Sequence, residues 1–180
     1  MGTTLIVSLA WGRRYLPLLE RLRRSARDQG VDSDLCPREG EPPCPGAAKR
    51  LKPKVILKAL EMHDPVIWVD ADGVLKTPIP EFETDDDLAM VKNRGLWEPN
   101  VIFCHGSQRA QDALRLWQAR MPEDFTGSDA AELNAAILAV NPRVAELPIE
   151  LAWVEDWYYN RYGRRDPVIE LNRPLERCCG

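Results

Sequence analysis

Two carboxylates stand one residue apart at the end of an apolar run. Val66, Ile67, Trp68 and Val69 lead into Asp70, Ala71, Asp72 and Gly73, and prolines punctuate the exit at Pro78 and Pro80. On an extended strand, residues two apart share a side, so the two acids converge if that geometry persists. Neighbouring carboxylates repel one another unless a cation lies between them. A hard divalent ion, Mg²⁺ or Mn²⁺, shared with the oxygens of a diphosphate meets that need. The competing reading is structural: Asp72-Gly73 is a good turn dipeptide, and Asp70 could cap a helix. The four apolar residues before Asp70 tip the balance toward a site.

Something must hold those acids in place. The run Thr3–Ala10 is continuous, apolar and β-branched, as in a buried parallel strand. From Arg14 to Arg27, Tyr15, Leu18, Leu19, Leu22 and Ala26 recur at helical spacing, and Gly30 stands where helices stop. Residues 31–36 read as a second strand. The stretch 37–49 begins with a dense Pro/Gly segment, expected to be loop. A helix then runs to the acid-bearing strand, with Pro53 near its first turn. Beyond Pro80, 85–93 and 100–105 read as strands, and 107–121 as an amphipathic helix. A Ser128-Asp129 cap opens another helix, and 148–154 reads as a last strand. Strands alternating with helices predict an α/β fold, one domain over 1–180, with a mostly parallel sheet flanked by helices. In such sheets ligands bind beyond the carboxyl ends of the strands.

Two families resemble this pattern. The string VIWVDADGVL is similar to the opening motif of haloacid-dehalogenase-like phosphatases, where Asp70 would be the phosphoryl nucleophile and Asp72 the general acid. Those chains usually begin with this strand, whereas a strand-helix-strand-loop-helix unit precedes it here. The ordered set of the first strand with its helix, KPKVILKALEMHDPVIWVDADGVLKTPIP, NVIFCHGSQRAQDALRLWQ and GSDAAELNAAI resembles the GT-A (Rossmann-like) glycosyltransferases that use nucleotide-diphospho-sugars. That resemblance implies transfer of a sugar from such a donor to a hydroxyl acceptor, with Mn²⁺ or Mg²⁺ as cofactor. It implies Asp70 and Asp72 at the metal and diphosphate, with Asp72 the more direct ligand. Ser8, Ala10 and Tyr15 would line the nucleotide pocket, Lys54 would lie near the diphosphate or donor sugar, and Asp129 would face the reacting sugar as base or hydroxyl-holding carboxylate. Structural alternatives stand beside each: Tyr15 as core, Lys54 as a solvated charge, Asp129 as a helix N-cap. The family's later histidine ligand, which follows PVIE, is replaced by Leu171, leaving Glu170, Asn172 or water to complete the shell. A non-catalytic nucleotide-binding module is the third reading.

Composition excludes some classes. The chain has 180 residues, 44% hydrophobic and 29% charged, with net charge −4, the profile of a globular domain. A pI near 5.3 argues against a general grip on nucleic acid. The basic stripe 12–24 reads as a solvated helix face, with phosphate contact its alternative. The N-terminal apolar run is too short to span a bilayer and no positively charged region precedes it, so a cytoplasmic protein without a transmembrane segment is expected. Five scattered cysteines without a C-x-x-C pair read as reduced thiols. The aromatic, basic tail 155–180 could bind the acceptor or pack against the domain. The acceptor class — glycan, lipid, protein, small molecule or modified nucleic-acid base — is open.

Overall fold

A computed structural model describes residues 5–44, 46–80, 84–154 and 166–171. Strand β1 (Leu5–Trp11) is flanked by parallel neighbours, β2 (Asp32–Arg38) and β3 (Val66–Val69). The apolar runs form interior strands because both of their faces are covered. Odd positions Leu5, Val7 and Leu9 join one core cluster, and Ile6 and Ala10 join the other. The sheet continues through β6 (Leu96–Cys104), β5 (Leu88–Asn93) and β7 (Val144–Glu146), in the order β2-β1-β3-β6-β5-β7. β6 runs antiparallel to both neighbours, and β7 is parallel to β5. Five of the six strands therefore point the same way, as expected of a mostly parallel sheet.

Helix α1 (Leu16–Asp28) buries Leu19, Leu22 and Ala26 on one face of the sheet. α2 (Ala47–Leu60), α3 (Gln108–Ala119) and α4 (Asp129–Val140) supply the other core cluster through Ile56, Ala110, Leu114, Trp117, Leu133 and Ala136. Gly30 follows α1 with φ +70°, the left-handed turn that its lack of a Cβ allows. A second, three-stranded sheet lies beside α1: β4 (Gly73–Leu75), β9 (Ile169–Leu171) and β8 (Trp153–Val154), with β9 in the middle.

Several expectations are corrected. The segment 37–49 is loop only in part: β2 extends to Arg38 and α2 starts at Ala47. Pro37 fits in β2 because that strand is at the sheet edge, where no ladder donor is required on its open side. Pro53 lies in the interior of α2 rather than its first turn. Residues 148–154 form a 3₁₀ turn (Ile149–Ala152) and the two residues of β8 in place of one strand. β4, β7 and β9 were not anticipated; at three residues each they are too short to show a period. The tail from 155 to 165, Asn172, Cys178 and Cys179 fall outside the described residues. No helix among the described residues is long and apolar enough to cross a membrane.

Candidate functional site

Extended geometry ends at Asp70. Its N–H still donates to Asn100 O at 2.9 Å, but Ala71 and Asp72 form a turn closed by the Gly73 N–H on Asp70 O at 2.8 Å. The strand argument for converging carboxylates thus stops one residue early, because the chain must reverse into β4. A Cβ on Gly73 would sit 2.5 Å from Val69 Cγ1, so this tight exit requires glycine. Arg21 Nη2 of α1 donates to the Asp72 carbonyl at 3.2 Å and fixes the turn from the other side.

The side chain of Asp70 finds a partner that the sequence reading missed. Lys52 Nζ lies 2.7 Å from Asp70 Oδ1, 3.1 Å from Asp129 Oδ2 and 3.2 Å from the Pro99 carbonyl. The Trp68 indole N–H also donates to Asp70 Oδ1, at 2.7 Å, and the ammonium sits 5.4 Å from the Trp68 ring centre. Those legs put the two carboxylate oxygens within about 5.8 Å of each other. Lys52 is only 4% exposed. Burial alone would lower its pKa, but Asp70 and Asp129 outweigh that and raise it above 10.5. Lys52 is therefore a charged strut joining the end of β3 to the start of α4.

Asp129 is placed with equal care. The N-cap of α4 is Ser128, whose Oγ accepts the Ala131 N–H, so Asp129 occupies the first helical position and its carboxylate faces Lys52. Trp117 Nε1 holds the Asp129 carbonyl at 2.9 Å, and Asn134 ties α4 to the backbone of Trp97 on both its N–H and C=O. Burial raises the Asp129 pKa, but Lys52 more than offsets this and, with help from Lys49, holds it below the ordinary 3.8.

The other expected residues stand outside the Asp70–Lys52–Asp129 strut. Lys54 is exposed, two residues and about 200° around the helix from Lys52. Ser8 and Ala10 are buried in β1, Ser8 fully and, among the described residues, with no hydrogen-bond partner for its hydroxyl. Tyr15 is 40% exposed, so it is not core; its ring lies beside the Arg14 guanidinium. His105 faces Asp64 at 3.4 Å, away from the strut. The signal that could have favoured Lys52 was its phase: it shares a face with Ile56 and Ala48, which pack in the core, whereas Lys54 does not.

Asp70 and Asp72 share one turn, and carboxylates are oxygen donors of the kind that Mg²⁺ or Mn²⁺ would take. Leu171 pairs with Gly73 across β4 and β9, next to that turn, and is 3% exposed within the apolar core. Glu170 is engaged by Lys76 at 2.6 Å. Among the described residues, no group of three or more His, Cys, Asp or Glu side chains is gathered that could hold a metal unaided.

No family model matches the chain, and no curated protein does. Solved structures do. A glycosyltransferase involved in glycosylation of the major capsid of PBCV-1 superposes with a TM-score of 0.67 at 13% identity, over 93% of this chain and 91% of that one. The bifunctional glycosyltransferase WbbM, in its apo form, gives 0.62 at 12% identity over 96% of this chain. The glycosyltransferase GlyE of Streptococcus pneumoniae TIGR4 gives 0.63 at 12% identity over 97%. The chain spans 46% of WbbM and 55% of GlyE, about half the length of each. With the sheet order and the helices in place over nearly its whole length, this chain has the fold of these glycosyltransferases.

Proposed function

We propose that the protein is a glycosyltransferase that moves a sugar from a nucleotide-diphosphate donor to a hydroxyl acceptor. The observation that supports this most is the Asp70–Lys52–Asp129 strut, set beyond the end of β3 in a glycosyltransferase fold. Parallel sheets bind ligands at that end of their strands. The phosphatase reading draws no support from the three structures named.

In this reading Asp72, with Asp70, holds Mn²⁺ or Mg²⁺. When bound, the ion offsets the charge that grows on the departing diphosphate. The chain's own groups do the rest. All three Lys52 N–H bonds go to Asp70, Asp129 and Pro99 O, so Lys52 positions the acids and does not itself donate to substrate. Asp129, ionised at neutral pH, has Oδ2 on Lys52 and offers its second oxygen to a sugar or acceptor hydroxyl. Fixing both carboxylates before substrate arrives lowers the cost of orientation.

The test is calorimetric titration of nucleoside diphosphates with and without Mn²⁺, on wild type and Asp72→Asn. Binding of one nucleotide that needs both the metal and Asp72 is expected. Nucleotide binding indifferent to both, or none at all, would remove the donor site from this turn.

A further inference from the structure

We propose that the outer face of α1 docks the protein on an anionic phospholipid surface. Residues 13–28 carry six arginines, Arg13, Arg14, Arg21, Arg23, Arg24 and Arg27, against Glu20 and Asp28. That is an excess of four positive charges in a chain of net −4, which leaves the remaining residues at −8. All six arginines are exposed. Glu20 pairs with Arg23 and Arg24, and Asp28 with Arg27, and both acids are already subtracted in that excess.

The extent of the patch points to the kind of partner. Over its 13 residues α1 is about 20 Å long, and four of the exposed arginines, Arg21, Arg23, Arg24 and Arg27, lie along it. One small phosphorylated ligand cannot touch them all, whereas a plane of phosphate headgroups can. Guanidinium groups suit phosphate oxygens through paired N–H donors. At the N-terminal end, exposed Tyr15 and Pro17 and half-buried Leu18 follow Arg14 in the chain, while Leu16 packs on the core. Aromatic and apolar groups beside arginine suit the headgroup region of a bilayer better than they suit a nucleic-acid backbone.

Leu19, Leu22 and Ala26 are already committed to the core. Attachment is therefore electrostatic and reversible, and weakens with salt. Arg21 in the same helix donates to the Asp72 carbonyl, so docking through α1 carries the Asp70–Asp72 turn to within roughly 10 Å, one helix diameter, of the headgroups.

The experiment is sedimentation of the full chain with phosphatidylcholine vesicles, with and without phosphatidylglycerol, at low and high salt. Binding only to the phosphatidylglycerol vesicles, reversed by salt, is expected. Arg24→Gln with Arg27→Gln should weaken it roughly thirtyfold, at about 1 kcal/mol per charge. The Arg24→Glu and Arg27→Glu pair should weaken it further. Lys58→Glu with Arg115→Glu, an equal charge change on α2 and α3, should leave it nearly intact. Circular dichroism confirms that each variant is folded, and the glutamine pair decides if the glutamate pair is not. Equal binding to neutral vesicles, no binding at low salt, or binding indifferent to Arg24 and Arg27 would overturn the proposal. Retention of a polyphosphate or oligonucleotide without vesicle binding would do the same. None of these outcomes depends on the nucleotide titration.

Discussion

Lys52 has three N–H donors and three oxygen acceptors around it, two of them carboxylates from different elements. Replacing it with methionine leaves Asp70 and Asp129 facing each other with no cation between them. Breaking a buried pair of this kind costs about 3–5 kcal/mol, and misplacing a reacting group by an ångström costs roughly a hundredfold in rate. Lys52→Met should therefore lower both the urea midpoint and kcat/KM. Lys52→Arg should not restore activity, since a planar fork cannot reach three acceptors arranged around an ammonium. Activity retained in Lys52→Met would show that the strut is dispensable.

Asp129 adds a pH signature. Its folded pKa lies below the ordinary 3.8, so the stabilisation is present above about 3.8 and lost as pH falls through the folded value. The stability gap between wild type and Asp129→Asn should be constant from pH 7 to about 5 and close below about 4. Urea unfolding at several pH values reads this directly. A gap that widens in acid would contradict the assignment. Kinetics then separate base from cap: since Ser128 does the capping, Asp129→Asn should reduce kcat by about 10²–10⁴ while α4 stays folded.

At the scale of elements, the strut works only if α2 and α4 keep their relative position. Gly46 secures one end: a Cβ there would lie 1.8 Å from the Phe125 carbonyl oxygen, a clash with backbone that no rotamer relieves. Lys49 Nζ reaches the Gly127 carbonyl at 3.3 Å and closes the same contact. Gly46→Ala should destabilise by about 1–3 kcal/mol and move α2 away from the 122–127 turn, with activity falling alongside. An unchanged melting temperature would show that the turn yields freely. These elements also divide what was legible from what was not. α1, α3 and α4 carry long apolar stripes or clear caps, so their signals are local. β4 exists because it pairs with β9 across about a hundred residues of chain, and β9 also pairs with β8, and no local pattern encodes such a partner. Asp70 and Asp129 could be singled out by motif. Lys52 is marked only by its phase with Ala48 and Ile56, since two lysines flank Pro53 and no motif separates them.

For the molecule as a whole, the two cores lie on opposite faces of one sheet, and the proposed site belongs to the face covered by α2, α3 and α4. The basic helix α1 covers the other. Donor chemistry and surface attachment are thus proposed on different sides of the sheet, linked at the Asp70–Asp72 turn by Arg21. A variant that abolishes vesicle binding through Arg24 and Arg27 should therefore leave nucleotide binding unchanged in free solution. Equal loss of both would mean that the two faces are energetically joined.

The middle position of β9 sets an order of events. β4 emerges early in synthesis, yet its partner strand follows about a hundred residues later and also bridges to β8. Until then the turn bearing Asp70 and Asp72 has β3 and α1 to lean on, but an unpaired edge beyond it. During translation the large sheet can gather β1, β2 and β3 while this corner stays open, and long-range pairing of this kind is slow to form. Pulsed hydrogen exchange on refolding chains should find the amides of β1 and β3 protected well before those of β4. The proposed donor site would then be among the last parts of the fold to mature.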